Sequence, residues 1–254
     1  MEMKVTYVHH SCFVVELKEH ILVFDYFPGD SLDSIRFHGC LPDLDPRKHV
    51  FFFASHAHKD HFHTEIFSYL RSLPDVTYVL SKDIRLTAAL KREAGLTFAD
   101  KARIKRVGPL TSHEYQDLKV ETLRSNEEGV AFVVEVEGLR IFHAGDLSWW
   151  NWGDEGELLG EISGRNYKRE LRRLKGRHID LAFIPLDPRL GNGASSGIKY
   201  FLRHEICDLV FPMHLWQQYD LITELKRDPE ISDLKDKIVE MDRENIVFDI
   251  PDER

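Results

Sequence analysis

Residues 51–63, FFFASHAHKDHFH, place four histidines, an aspartate and a lysine directly after an apolar run. The stretch HVFFFAS (49–55) is continuously apolar at its centre, which predicts a strand covered on both faces. A chain containing such a strand must supply layers on either side of it. The polar cluster that follows has the spacing His56-x-His58-x-Asp60-His61. Neutral imidazole and carboxylate are natural ligands for zinc and similar divalent ions. Just past a strand end, alternate residues 56 and 58 face one way, and a turn brings Asp60 and His61 towards a neighbouring point. One loop thereby offers two ligands to each of two adjacent metals. The alternative is a solvated histidine-rich loop, and the string is too uncommon by chance to favour it.

The surrounding pattern repeats strands followed by helices. KVTYVHH, SCFVVEL and ILVFDY read as short strands. TEIFSYLRSL (64–73) reads as a helix with Thr64 at its N-cap, stopping before Pro74. VTYVLS (76–81) is a strand, and DIRLTAALKREAG (83–95) a helix ended by glycine. A second strand group follows in ARIKRV, DLKVETL, GVAFVVEVEG and LRIFHAGD, with a hairpin at Glu137-Gly138. Helix is expected over 157–175 and 195–205, buried strand over 178–185, and strand over 208–214. The charged tail reads as helical before IVFDI (246–250). This order predicts an α+β chain with two sheets packed together and helices outside, as a single domain over 1–254.

Of the 254 residues, 43% are hydrophobic and 30% charged, which suits a packed core. A net charge of −9 argues against nucleic acid as a partner, although 165–177 is locally basic. Cys12, Cys40 and Cys207 form no C-x-x-C pair and read as reduced thiols. The N-terminus has no signal-peptide pattern, and no apolar run is long enough to span a membrane. A soluble cytoplasmic protein without a membrane partner is expected.

A loop alone cannot complete a metal site. RIFHAGD (140–146) is a strand ending in Asp146, with Gly145 before it, and FPMH (211–214) is a strand ending in His214. SHAHKDH, HAGD and FPMH, in this order, resemble the metallo-β-lactamase superfamily of metal-dependent hydrolases. TYVHHSCFVVEL and ILVFDYFPGD resemble its subgroup of bacterial sugar-phosphate-lactonase-like and uncharacterised hydrolases. The resemblance covers nearly the whole chain. It implies an αββα sandwich of two mixed sheets flanked by helices, with metals held at one edge of the sheets. It also implies that His56 and His58 hold a first metal, that Asp60, His61 and His214 hold a second, and that Asp146 bridges both. Zinc is the implied cofactor, as one or two ions, with iron or manganese as alternatives. A metal-activated hydroxide would attack a small ester, lactone or phosphodiester, oriented by Asp60 or Asp146.

The family pattern expects one more histidine between the strands DLKVETL and GVAFVVEV, where this chain has RSNEEG (124–129). His113 falls too early and reads as a surface residue. Ser125, Asn126, Glu127, Glu128 or a water would take the place, or the first site is weak or empty.

Other residues carry two readings each. His10 orients substrate or is a buried structural histidine; His9 and His63 read as structural or surface. His143 reads as a core residue or a support for the ligands rather than a ligand. The loop LSWWNWGDEGE (147–157) is a hydrophobic lid or an aromatic wall for substrate, with Trp149 and Trp150 as its leading residues. Arg189 binds a substrate carboxylate or phosphate, or forms a structural pair with Asp187. Lys59 is expected to point to solvent. Two rival functions remain: a mononuclear-iron oxidoreductase of the same fold, and a metal-depleted binding module.

Overall fold

The computed structural model describes residues 3–152 and 157–251; residues 153–156 of the loop 147–157 lie outside the described residues. The chain divides into two compact units, Met1–Gly108 with Glu244–Arg254, and Pro109–Arg243. Each contains one mixed β-sheet.

The first unit holds β1 (Met3–His9), β2 (Cys12–Glu16), β3 (His20–Phe24), β4 (His49–Ala54), β5 (Val76–Ser81), β6 (Ile104–Val107) and β13 (Ile246–Ile250). Their order across the sheet is β13-β1-β2-β3-β4-β5-β6. β13, β1, β2 and β3 pair antiparallel, and β3 through β6 pair parallel. All six residues of β4 are buried. Phe52 packs with Val14, Val23, Ile66, Phe67 and Tyr78, its ring stacked on Tyr78 at 5.4 Å. Phe51 and Phe53, on the opposite face, are equally sealed. Burial of each such ring contributes roughly 2–3 kcal/mol, so the strand that carries the histidine loop is a rigid base.

Two helices in this unit differ from expectation at their starts. Thr64–Leu70 is a 3₁₀ helix, capped by His63, whose side chain accepts from the Glu65 N–H, rather than by Thr64. The helix expected over 83–95 is only α1 (Ala88–Glu93), because the Thr87 side chain caps Leu90 N at 3.2 Å. Asp83 is committed elsewhere, its Oδ2 accepting from Ala57 N at 2.8 Å. The chain leaves α1 through Gly95 at φ +64°, as the sequence predicts.

The second unit holds β7 (Ser112–Tyr115), β8 (Leu118–Arg124), β9 (Val130–Val136), β10 (Leu139–His143), β11 (His178–Pro185) and β12 (Ile206–Met213). The order is β12-β11-β10-β9-β8-β7. β7 to β10 pair antiparallel, and β10 to β12 parallel. Glu137 and Gly138 both have positive φ, as a two-residue hairpin requires. β7 was not anticipated: SHEY is a polar edge strand without an apolar period, and His113 within it is half-buried. The helices are α2 (Glu157–Leu171), α3 (Ser196–His204) and α4 (Asp220–Arg227). Mixed sheets with helices make the chain α+β. Among the described residues no helix is long and apolar enough to cross a membrane, and the three cysteines form no disulfide.

Candidate metal centre

In the first unit, parallel pairing brings the C-terminal ends of β3, β4 and β5 to one edge of the sheet. Asp25 follows β3 at φ +46°, and its N–H donates to Phe53 O at 2.9 Å. The fully buried Asp25 carboxylate then becomes a hub. Oδ1 accepts from Ser55 N at 2.7 Å, and Oδ2 accepts from Ser55 Oγ at 2.6 Å and from His61 Nδ1 at 2.7 Å. A carboxylate only accepts, so the His61 proton sits on Nδ1 and Nε2 presents a lone pair. The Ser55 hydroxyl hydrogen is used in the bond to Asp25, so Ser55 Oγ accepts from His56 Nδ1 at 2.9 Å. His56 therefore also presents a bare Nε2.

That nitrogen lies 3.0 Å from His58 Nδ1. Two nitrogens on one tetrahedral metal lie about 3.3 Å apart, given metal–nitrogen bonds of about 2.0–2.1 Å. The spacing of the pair thus fits a shared divalent ion, and the His56 tautomer is the one a metal needs. His10 Nε2 lies 3.3 Å from Asp60 Oδ2, and His61 Nε2 3.8 Å from the same oxygen. His10 is buried at φ +49° and meets the His61 ring edge-on at 5.8 Å. It belongs beside the ligand loop. His9 is structural: it is buried, bonded to Phe27 O at 3.0 Å and stacked on Phe37. Lys59 is exposed.

The second unit repeats the device. β10, β11 and β12 run parallel and end together, and just past those ends stand Asp146, Asp187 and His214. The turn to Asp146 passes through Gly145 at φ +51°, whose N–H donates to His143 Nδ1 at 3.2 Å. His143 therefore supports the turn. His214 Nδ1 donates to Asp187 Oδ2 at 2.8 Å, and Nε2 lies 3.5 Å from Asp146 Oδ1. Arg189 grips Asp187 through Nε at 3.0 Å and Nη2 at 2.5 Å. Burial alone would raise the Asp187 pKa, but hydrogen bonds from His214 and Arg189, with the Arg189 charge, hold it well below the usual carboxylate range. His214, Trp216 and Gln217 all have positive φ, a strained backbone of a kind that gathers at functional sites.

The loop 124–129 separates its candidate ligands. The Asn126 amide nitrogen donates to Ser148 O at 2.7 Å and Ser163 Oγ at 2.9 Å, while its oxygen accepts from Ser148 N at 3.2 Å. Asn126 is thus a clamp between the loop after Asp146 and α2. Glu127 is exposed, with a carboxylate oxygen within 4.8 Å of one of Asp146. Glu128 is exposed. The two tryptophans also separate. Trp149 turns onto α2, donating to Gly160 O at 3.1 Å beneath Lys168. Trp150 donates to Asp146 O at 2.9 Å and sets its ring edge-on to His214 at 5.9 Å. Trp152, 48% exposed, stacks outside it. Arg189 takes the structural-pair option with Asp187, its guanidinium 4.6 Å above Trp216.

Sequence reasoning missed Asp25, Ser55 and Trp216. For Asp25 a signal was present: ILVFD repeats the apolar-strand-then-carboxylate pattern of RIFHAGD and FIPLD.

Residues 4–160 match the family model described as a β-lactamase superfamily domain. The metal-dependent hydrolase YtkL of Bacillus subtilis is 26% identical over 234 residues, covering 90% of each chain. Among solved structures, the metallo hydrolase Igni18 of Ignicoccus hospitalis aligns with a TM-score of 0.56 at 16% identity, over 99% of this chain and 100% of its own. CmlA, a diiron β-hydroxylase of Streptomyces venezuelae, aligns with a TM-score of 0.58 at 12% identity, over 98% of this chain and 54% of its own. At these identities the structural matches show the fold alone.

Proposed function

The chain belongs to the metallo-β-lactamase superfamily, and on that basis we propose that it is a metal-dependent hydrolase of a small ester, lactone or phosphodiester. The observation that carries this reading is the approach of His56 Nε2 and His58 Nδ1 to 3.0 Å, with the His56 proton drawn to the far side of the ring. The relative named a metal-dependent hydrolase supports it over nine-tenths of the chain. His56, His58, Asp60 and His61 of the first unit, and Asp146 and His214 of the second, are the residues that would hold divalent metal, as family membership implies. A divalent ion bound there supplies Lewis acidity and lowers the pKa of water. The chain's own groups do the rest. Asp25 keeps the His56 and His61 lone pairs facing outward, and Asp60, between His10 and His61, orients the attacking water. Trp150 and Trp152 offer an apolar wall to a small substrate.

Glu127 favours a particular choice of metal. A carboxylate near Asp146, where the family has histidine, hardens the donor set and shifts preference from zinc towards iron or manganese. The iron-oxidoreductase reading gains from the same residue. The three cysteines without disulfides are in keeping with a cytoplasmic location.

Metal content by mass spectrometry on untagged protein, followed by lactone and phosphodiester assays, tests the proposal. Two divalent ions per chain and chelator-sensitive hydrolysis are expected. Hydrolysis that survives in metal-stripped protein overturns it, and oxygen consumption without hydrolysis moves the assignment to iron chemistry.

A further inference from the structure

We propose that Asp187, Arg189 and Trp216 are positioning residues that lock His214 in its metal-ready tautomer and orientation. This rests on the reading of His214 as a metal ligand.

Four side chains form a closed circuit. His214 Nδ1 donates to Asp187 Oδ2 at 2.8 Å, and Asp187 receives Arg189 through Nε and Nη2. The Arg189 guanidinium lies 4.6 Å above the Trp216 ring, and that ring returns edge-on to His214 at 5.6 Å. Every link is chemically specific. Asp187 opens the 3₁₀ helix Pro188–Gly193 and caps it by accepting from Arg189 N at 2.9 Å, which fixes the carboxylate before His214 is considered. Arg189 offers planar donors that suit a carboxylate and a face that suits an indole. The circuit also gives a reason for the left-handed backbone at His214 and Trp216: it returns the Trp216 ring to the histidine two residues earlier. Trp150 also meets His214 edge-on while donating to Asp146 O, so the same ring is referenced to the neighbouring carboxylate's residue.

The consequence is a tautomer switch. In Asp187→Asn only one amide oxygen remains, and Arg189 and the His214 Nδ1–H compete for it. When Arg189 takes it, the amide N–H faces Nδ1, and the His214 proton moves to Nε2, where it blocks ligation.

Ring-nitrogen NMR on the full, metal-stripped chain reads this directly, with the His214 signals assigned by their loss in His214→Gln. Wild type should show the Nδ1–H form of His214, and D187N a substantial Nε2–H population. Cobalt(II) titration, followed by visible absorption, should show affinity falling about 10- to 100-fold in D187N. R189M keeps the acceptor and should keep the tautomer while losing affinity several-fold, so it carries the test if D187N does not fold. An unchanged His214 tautomer in folded D187N overturns the inference, as does unchanged cobalt affinity in both variants. If wild type takes up no cobalt, the metal reading itself fails, which the tautomer spectrum distinguishes from a failure of the positioning circuit.

Discussion

Asp25 Oδ2 lies 2.7 Å from His61 Nδ1, with both side chains sealed from solvent. The same oxygen, through Ser55 Oγ, also decides which His56 nitrogen is bare. One carboxylate from the end of β3 thus governs two residues of the loop after β4. Asp25→Asn would set an amide N–H against groups that already donate. We expect a loss of about 3–5 kcal/mol of stability, as when one partner of a buried charged network is removed. Metal affinity should fall about 10- to 100-fold. Urea denaturation and metal titration measure the two effects, and wild-type metal affinity in a folded variant would place tautomer control elsewhere.

The loop RSNEEG makes separable predictions for adjacent residues. Glu127→His should restore the nitrogen donor that the family pattern expects and shift the metal taken up from mixed manganese and iron towards zinc. Competitive loading with equal concentrations of the three ions, read by mass spectrometry, checks this. Asn126→Ala should leave metal selectivity alone and lower stability by roughly 1–3 kcal/mol, because Ser148 and Ser163 lose their bridge. The opposite pattern would exchange the roles assigned to these residues.

Trp149 and α2 provide a packing test. A Cβ at Gly164 would lie 2.5 Å from Trp149 Cε2, and that indole is held by Gly160 O and Lys168. Gly164→Ala should cost about 1–3 kcal/mol. Gly95, at φ +64° with nothing near its Cβ, isolates the conformational cost, about 1–2 kcal/mol for alanine. Thermal melts of the two variants compare crowding with backbone strain, and equal losses would show that α2 yields to the added methyl.

The strands were legible because burial on both faces writes itself as continuous apolar runs, as in HVFFFAS and HIDLAFIP. Candidate ligands at the strand ends stood out because polar groups right after such runs are costly unless used. Helix starts were less so: Thr64 and Thr87 are both competent caps, yet the caps employed are His63 and Thr87, each through a bond two or three residues along the chain. The supporting carboxylates Asp25 and Asp187 were harder still. Each is a single acidic residue after a strand, ordinary in isolation, and its role exists only once parallel pairing brings it beside a histidine. Trp216 was invisible for a related reason, since its contact with Arg189 depends on a left-handed backbone that its side chain does not announce.

His9 makes the chain's stability depend on pH. Burial lowers its pKa from 6.5 to about 4, against the opposing charge of Glu244. The folded state therefore holds His9 neutral, while the unfolded chain takes up a proton below pH 6.5. The stabilisation is fully present above pH 6.5 and is lost as pH falls from there towards 4. A gap of this size corresponds to about 3 kcal/mol. Urea midpoints measured across that range should fall with pH, and His9→Gln, which keeps a donor for Phe27 O, should flatten the dependence. An equally steep slope in the variant would assign it to another buried histidine.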